Sequence, residues 1–170
     1  MINITHLLIV TIFPAAMAFA AVSDMFTMTV SNRLSLVLAA GFFIVAPLVG
    51  LGWETIGVHV LVALLALGLT FSLFAAGWIG GGDAKFFAAT ALWLGHEHLL
   101  DYAIYAALLG GALTLGILAL RSLPLPAPLA SQGWLLRLHD PKEGVPYAMA
   151  LAAAGLLVYP HTPFMAALGG

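Results

Sequence analysis

Cysteine is absent from these 170 residues and charge is scarce, with 7% of positions Asp, Glu, Lys or Arg against roughly 25% in soluble domains. The first absence excludes disulfides, thiolate zinc sites and a thiol nucleophile. The second excludes an ordinary water-facing surface, because 63% of the residues are apolar. No polar block is long enough to fold separately, so a single membrane unit over residues 1–170 is expected. The basic residues are five, Arg33, Lys85, Arg121, Arg137 and Lys142, and with a net charge of −2 they give no footprint for nucleic acid. No Lys or Arg precedes Arg33, so the first apolar stretch reads as a retained span rather than a cleaved signal.

Crossing the hydrocarbon as a helix takes about 20 apolar residues, and charges near mid-bilayer are costly. Cutting the chain at its polar clusters predicts helices over about 4–22, 34–52, 56–79, 100–120 and 146–168, with Pro14 and Pro47 as kinks. A sixth segment, 84–98, is short enough to be re-entrant. Charge asymmetry favours a crossing. If all six segments span, every Lys and Arg falls at the connections 1–2, 3–4 and 5–6, and the other two connections have none. The expected fold is therefore an all-α polytopic membrane protein of six transmembrane helices, N-out and C-out, with a short fourth helix.

That topology puts Asp24, at the end of helix 1, and Asp83, at the start of helix 4, on one membrane face. Glu54, Glu97 and Asp101 fall on the other side, and Asp140 and Glu143 in the last cytoplasmic loop. Carboxylates beside a bilayer are costly unless solvated, paired or protonated, which marks the two as a candidate site. A plainer reading stays open: Asp24 ends helix 1 in water and Asp83 caps helix 4. As a pair, two carboxyl groups resist double ionisation and share one proton, the requirement of aspartic proteolysis. One takes a proton from the attacking water while the other hydrogen-bonds the peptide carbonyl. Helix dipoles assign the negative charge to Asp83, at a helix N-terminus, and the proton to Asp24, near a C-terminus. Gly80, Gly81 and Gly82 give backbone freedom and let an extended substrate approach the peptide groups, or else make a simple interhelical turn.

Gly80-Gly81-Gly82-Asp83 resembles the GxGD motif of the type IV prepilin peptidases and related intramembrane aspartyl proteases. The run from Gly80 through Lys85 into an Ala-rich, Trp-Leu-Gly stretch is similar to that family's second aspartate region. Asp24 followed by Val30-Ser31-Asn32-Arg33-Leu34 is similar to its first aspartate and downstream turn, with Ser31 where proline is usual; Asn32 is expected to bend the chain or cap helix 2. Val145-Pro146-Tyr147 resembles the opening of its last helix. The resemblance implies a bacterial inner-membrane endopeptidase that removes the basic leader of prepilins at the cytoplasmic face, with Asp24 and Asp83 catalytic and no cofactor. Without the cysteine-containing insertion of the bifunctional members, the chain resembles the peptidase-only branch of tight-adherence (Flp-type) pili, without methyltransferase activity. Implied partners are prepilin or pseudopilin substrates, the lipid bilayer and the pilus-assembly machinery.

Asn32 and Lys85 are further candidates for shaping the site or holding substrate; both also read as an ordinary turn residue and an interfacial anchor. His96-Glu97-His98 with Asp101 lies opposite the aspartates and lacks the i, i+4 zinc spacing, so no metal is expected. The segment 121–144, with Gly133-Trp134-Leu135-Leu136-Arg137-Leu138, reads either as an interfacial turn that steadies substrate or as a tether. Gly110, Gly111 and Gly116 read as helix contacts. Two other functions compete: a small proton-coupled transporter, against which both acids sit at one end with helix centres free of ionisable groups, and a noncatalytic pilus-assembly scaffold.

Overall fold

The computed structural model describes residues 4–126 and 131–168, and among them the chain forms helices and no strand. The order is α1 (Ile4–Thr27), α2 (Asn32–Leu48), α3 (Trp53–Ala75), α4 (Gly81–Arg121), α5 (Gly133–His139), α6 (Tyr147–Val158), a 3-10 turn (Tyr159–His161) and α7 (Pro163–Ala166). Three of these, α1, α3 and α4, are long and apolar enough to cross a membrane, and Asn32–Leu48 and Tyr147–His161 are shorter apolar helices. Leu61, Leu65 and Leu69 on α3 and Leu108 and Leu115 on α4 stay exposed while the interior is apolar as well, the pattern of helices immersed in lipid.

Helix limits depart from the sequence expectation for local reasons. α1 runs past 22 to Thr27 because its polar groups find partners: Thr27 Oγ1 donates to the Ser23 carbonyl at 2.7 Å, and the Asp24 carboxylate is engaged by α6. It then ends on Met28 at φ 53. α2 and α3 stop before 52 and 79, each in a Schellman turn: Gly50 (φ 80) and Gly77 (φ 76) take the left-handed position, and the N–H groups of Leu51 and Trp78 return to the Ala46 and Leu73 carbonyls. Pro14 lies inside α1 and Pro47 in the last turn of α2. The expected last helix, 146–168, is interrupted by the Tyr159–His161 turn and resumes as α7 behind Thr162 (ψ 158) and Pro163.

The largest departure lies in α4. The expected boundary between 84–98 and 100–120 falls instead at Gly95, whose φ of 68 and ψ of −174 break α4 into arms 81–94 and 96–121. His59 of α3, a buried ionisable side chain that the sequence reading passed over, sits against this break. Its Nδ1–H donates to the Leu92 carbonyl at 2.8 Å, satisfying an acceptor that the interrupted ladder leaves free. Phe42 and Phe164 pack on its ring, Trp93 packs on both of these, and the Trp93 indole N–H donates to the Leu38 carbonyl at 2.9 Å. α3 and α2 pack on α4, and α6 packs on both α4 and α1.

Candidate active site

Asp24 is 4% exposed, in the last turns of α1. Its Oδ2 accepts the backbone N–H of Ala148 at 2.8 Å. Ala148 is the second residue of α6, and Pro146 at the cap leaves the first N–H groups of that helix pointing outward. The carboxylate therefore sits at the N-terminus of α6 as well as near the C-terminus of α1.

Asp83 is half-buried at the third position of α4, not at its cap. Gly80 is the cap residue, and the Asp83 carboxylate turns back to bond its backbone N–H, the N3 half of a capping box. Asp83 lies within electrostatic range of Asp24 and of Tyr147. Each aspartate thus has a backbone N–H partner at a helix start, so the dipole argument that gave one the charge and the other the proton does not separate them.

The three glycines act through close approach rather than unusual dihedrals. Gly80 has φ −71, and none of the three is among the positive-φ glycines. A Cβ on Gly80 would stand 2.9 Å from Asp83 Oδ2, one on Gly81 3.1 Å from the Phe74 ring, and one on Gly82 3.2 Å from the Val30 carbonyl oxygen. Gly81 and Gly82 are wound into the first turn of α4, Gly81 against Phe74 of α3 and Gly82 against Val30 in the segment joining α1 to α2. The expected open loop for an extended substrate is therefore a helix start packed on the protein itself.

Ser31, not Asn32, caps α2: its Oγ accepts from the Arg33 N–H at 3.2 Å, which gives the position where proline is usual a function of its own. Asn32 is the first residue of that helix, and its Oδ1 accepts from Lys85 Nζ at 2.9 Å. This exposed pair ties the start of α2 to the start of α4 beside the aspartates.

Tyr147 was matched in sequence without a role. Its ring occupies the space a Cβ on Gly110 would need, 2.2 Å away, and its hydroxyl donates to the Ala106 carbonyl at 3.2 Å, seating α6 against the second arm of α4. Gly110 is thus a helix contact, whereas Gly111 and Gly116 face open space. On α5, Trp134 meets Phe26 edge-on with ring centroids 5.7 Å apart, and Arg137 donates to the Phe26 carbonyl, two residues past Asp24. Residues 127–130 of the segment 121–144 lie outside the described residues. The Ala148 N–H has no sequence signature, since every non-proline residue carries one; only the Pro146 helix start pointed to it.

Two carboxylates within electrostatic range, one buried and one half-buried, each held by a backbone N–H at the start of a different helix, form an arrangement suited to activating a water. Among known proteins, the sequence model of the type IV leader peptidase family matches residues 11–115, a stretch that includes both aspartates, the glycine triplet and Asn32. No curated protein and no solved structure matches the chain.

Proposed function

The chain belongs to the type IV leader peptidase family, and on that premise we propose that it is a membrane aspartyl endopeptidase with Asp24 and Asp83 as its catalytic pair. The observation that carries this reading is the convergence of α1 and α4 on the first turn of α6, which brings the two carboxylates into electrostatic range. One carboxylate removes a proton from water as the oxygen attacks the peptide carbonyl carbon. The other, protonated, hydrogen-bonds the carbonyl oxygen and stabilises the tetrahedral intermediate. Collapse of that intermediate breaks the C–N bond, the proton passes to the leaving nitrogen, and the pair returns to its shared-proton state.

The substrate we propose is a prepilin of the Flp kind, cut between its basic leader and its apolar helix at the cytoplasmic face of a bacterial inner membrane, without methylation of the new N-terminus. Residues 1–170 then act as one peptidase unit. Six crossings with both termini outside fit this reading if the two arms of α4 span separately and α6 to α7 form the last crossing. Charge supports the orientation. Arg33 and Lys85 flank the Asn32 contact, Arg137 reaches the end of α1, and Arg121 and Lys142 belong to the segment leading to α6, so the basic residues gather at the end that holds the aspartates.

Coexpression with prepilin-type substrates, followed by determination of each product's N-terminus, tests the proposal. A product shortened to the start of its apolar helix is expected. Unshortened products throughout, from a protein that accumulates in membranes, would favour the assembly scaffold instead.

A further inference from the structure

Arg121 entered the sequence reading only as a positive charge. In the structure it ends α4 and its guanidinium is committed to backbone. Nε donates to the Leu138 carbonyl at 2.8 Å, and one terminal nitrogen donates to the carbonyls of Glu143 at 3.1 Å and Gly144 at 2.9 Å. The Leu138 carbonyl belongs to the last turn of α5, where the helix has no internal partner to offer it. The other two lie just ahead of Pro146, the cap of α6. One side chain therefore gathers both ends of the turn between α5 and α6.

From Gly144 only Val145 and Pro146 intervene before α6 begins, and Pro146 has its φ held near −70 by its ring. Fixing the 143–144 carbonyls thus fixes where the first turn of α6 stands, and with it the Ala148 N–H that Asp24 accepts. The opposite side of the same segment is held to α1 by Arg137 and Trp134 at Phe26. Segment 133–148 is consequently anchored to the two helices that carry the aspartates.

We propose that Arg121 is a positioning residue for the peptidase reaction, acting through the 138–144 turn and the start of α6 to hold Asp24 in its working geometry. The inference rests on the proposed function. It makes the α5 to α6 segment a working part of the site rather than a tether. A planar guanidinium with donors in a fixed fork suits carbonyls set apart from one another, whereas a lysine ammonium is a single compact charge that does not span them. The Glu143 and Gly144 carbonyls are exposed, so water replaces their lost partner, and the part-buried Leu138 carbonyl is the acceptor whose loss bears on the fold; the rest of the cost falls on geometry.

The test uses the full chain in proteoliposomes with a prepilin-type substrate that the wild type cleaves. Arg121→Ala is expected to lower kcat by about 10²-fold, the usual effect of a misplacement near 1 Å, with KM within about twofold, the pattern of a lost transition-state interaction. Hydrogen exchange should accelerate in peptides covering 144–150, methylguanidinium should restore part of kcat, and Arg121→Lys should behave as Arg121→Ala. If Arg121→Ala is not inserted, Arg121→Gln is judged by the same readouts. Wild-type kcat in Arg121→Ala, or full activity in Arg121→Lys, overturns the inference and leaves a membrane anchor. Absence of cleavage by the wild type overturns the proposed function and this inference together, whereas a cleaving wild type beside an unaffected variant overturns the inference alone.

Discussion

α4 uses glycine in two ways at the two ends of its first arm. At its start, Gly80 to Gly82 have unremarkable backbone angles, and what matters is the missing side chain: each leaves room for a neighbour, and at Gly80 that neighbour is the Asp83 carboxylate itself. At the other end Gly95 sits at φ 68 and ψ −174, where the missing side chain matters less than the backbone conformation it permits. The first end serves the candidate site and the second serves the fold. A buried histidine supplies a partner to the carbonyl freed at the break, while at the start Asp83 bonds the N–H of its own cap residue.

Substitutions separate these roles. Gly95→Ala has the largest expected effect: backbone strain of about 1–3 kcal/mol adds to a Cβ 2.7 Å from the buried His59 ring, so thermal unfolding in detergent should shift down by several degrees. Gly80→Ala should lower that transition by less, since its φ of −71 suits alanine and only the capping bond is lost, while displacing the Asp83 carboxylate and lowering kcat by about 10- to 100-fold. Equal loss of stability in both variants would erase the distinction. His59→Ala leaves the Leu92 carbonyl unpaired in an apolar interior and should cost about 1–3 kcal/mol, with His59→Asn recovering part through its amide donor; unfolding of the two variants side by side checks this. Smallest is Ser31→Pro. Its φ of −68 accepts proline, so the loss of a cap worth about 1 kcal/mol is offset by about 0.4–1 kcal/mol from the stiffened unfolded chain, and both activity and stability should stay near wild type.

Pattern carried the sequence reading a long way. Apolar runs located the helices, and the acids at their ends together with the glycine triplet marked the candidate pair. What escaped was of one kind, the pairing of a side chain with a distant backbone group. The Ala148 N–H reaches Asp24 across 124 positions, and Arg137 reaches the Phe26 carbonyl across 111. Backbone donors and acceptors are the same at every residue, so only the fold reveals which of them a side chain meets. The break at Gly95 was missed for a related reason. Charged residues at 97 and 101 suggested a boundary nearby, but the glycine that takes the positive φ and the histidine that satisfies the freed carbonyl lie 36 positions apart in sequence, on different helices.

In the proposed reaction Asp24 and Asp83 act as one unit. Cleavage of a prepilin-type substrate by Asp24→Asn, Asp83→Asn and the double variant, each at wild-type abundance in membranes, measures this directly. Loss of about 10²-fold or more is predicted for each single change, with the double variant no worse than either, as for groups that share one task. Wild-type cleavage by either single variant, or losses that multiply in the double, would contradict it.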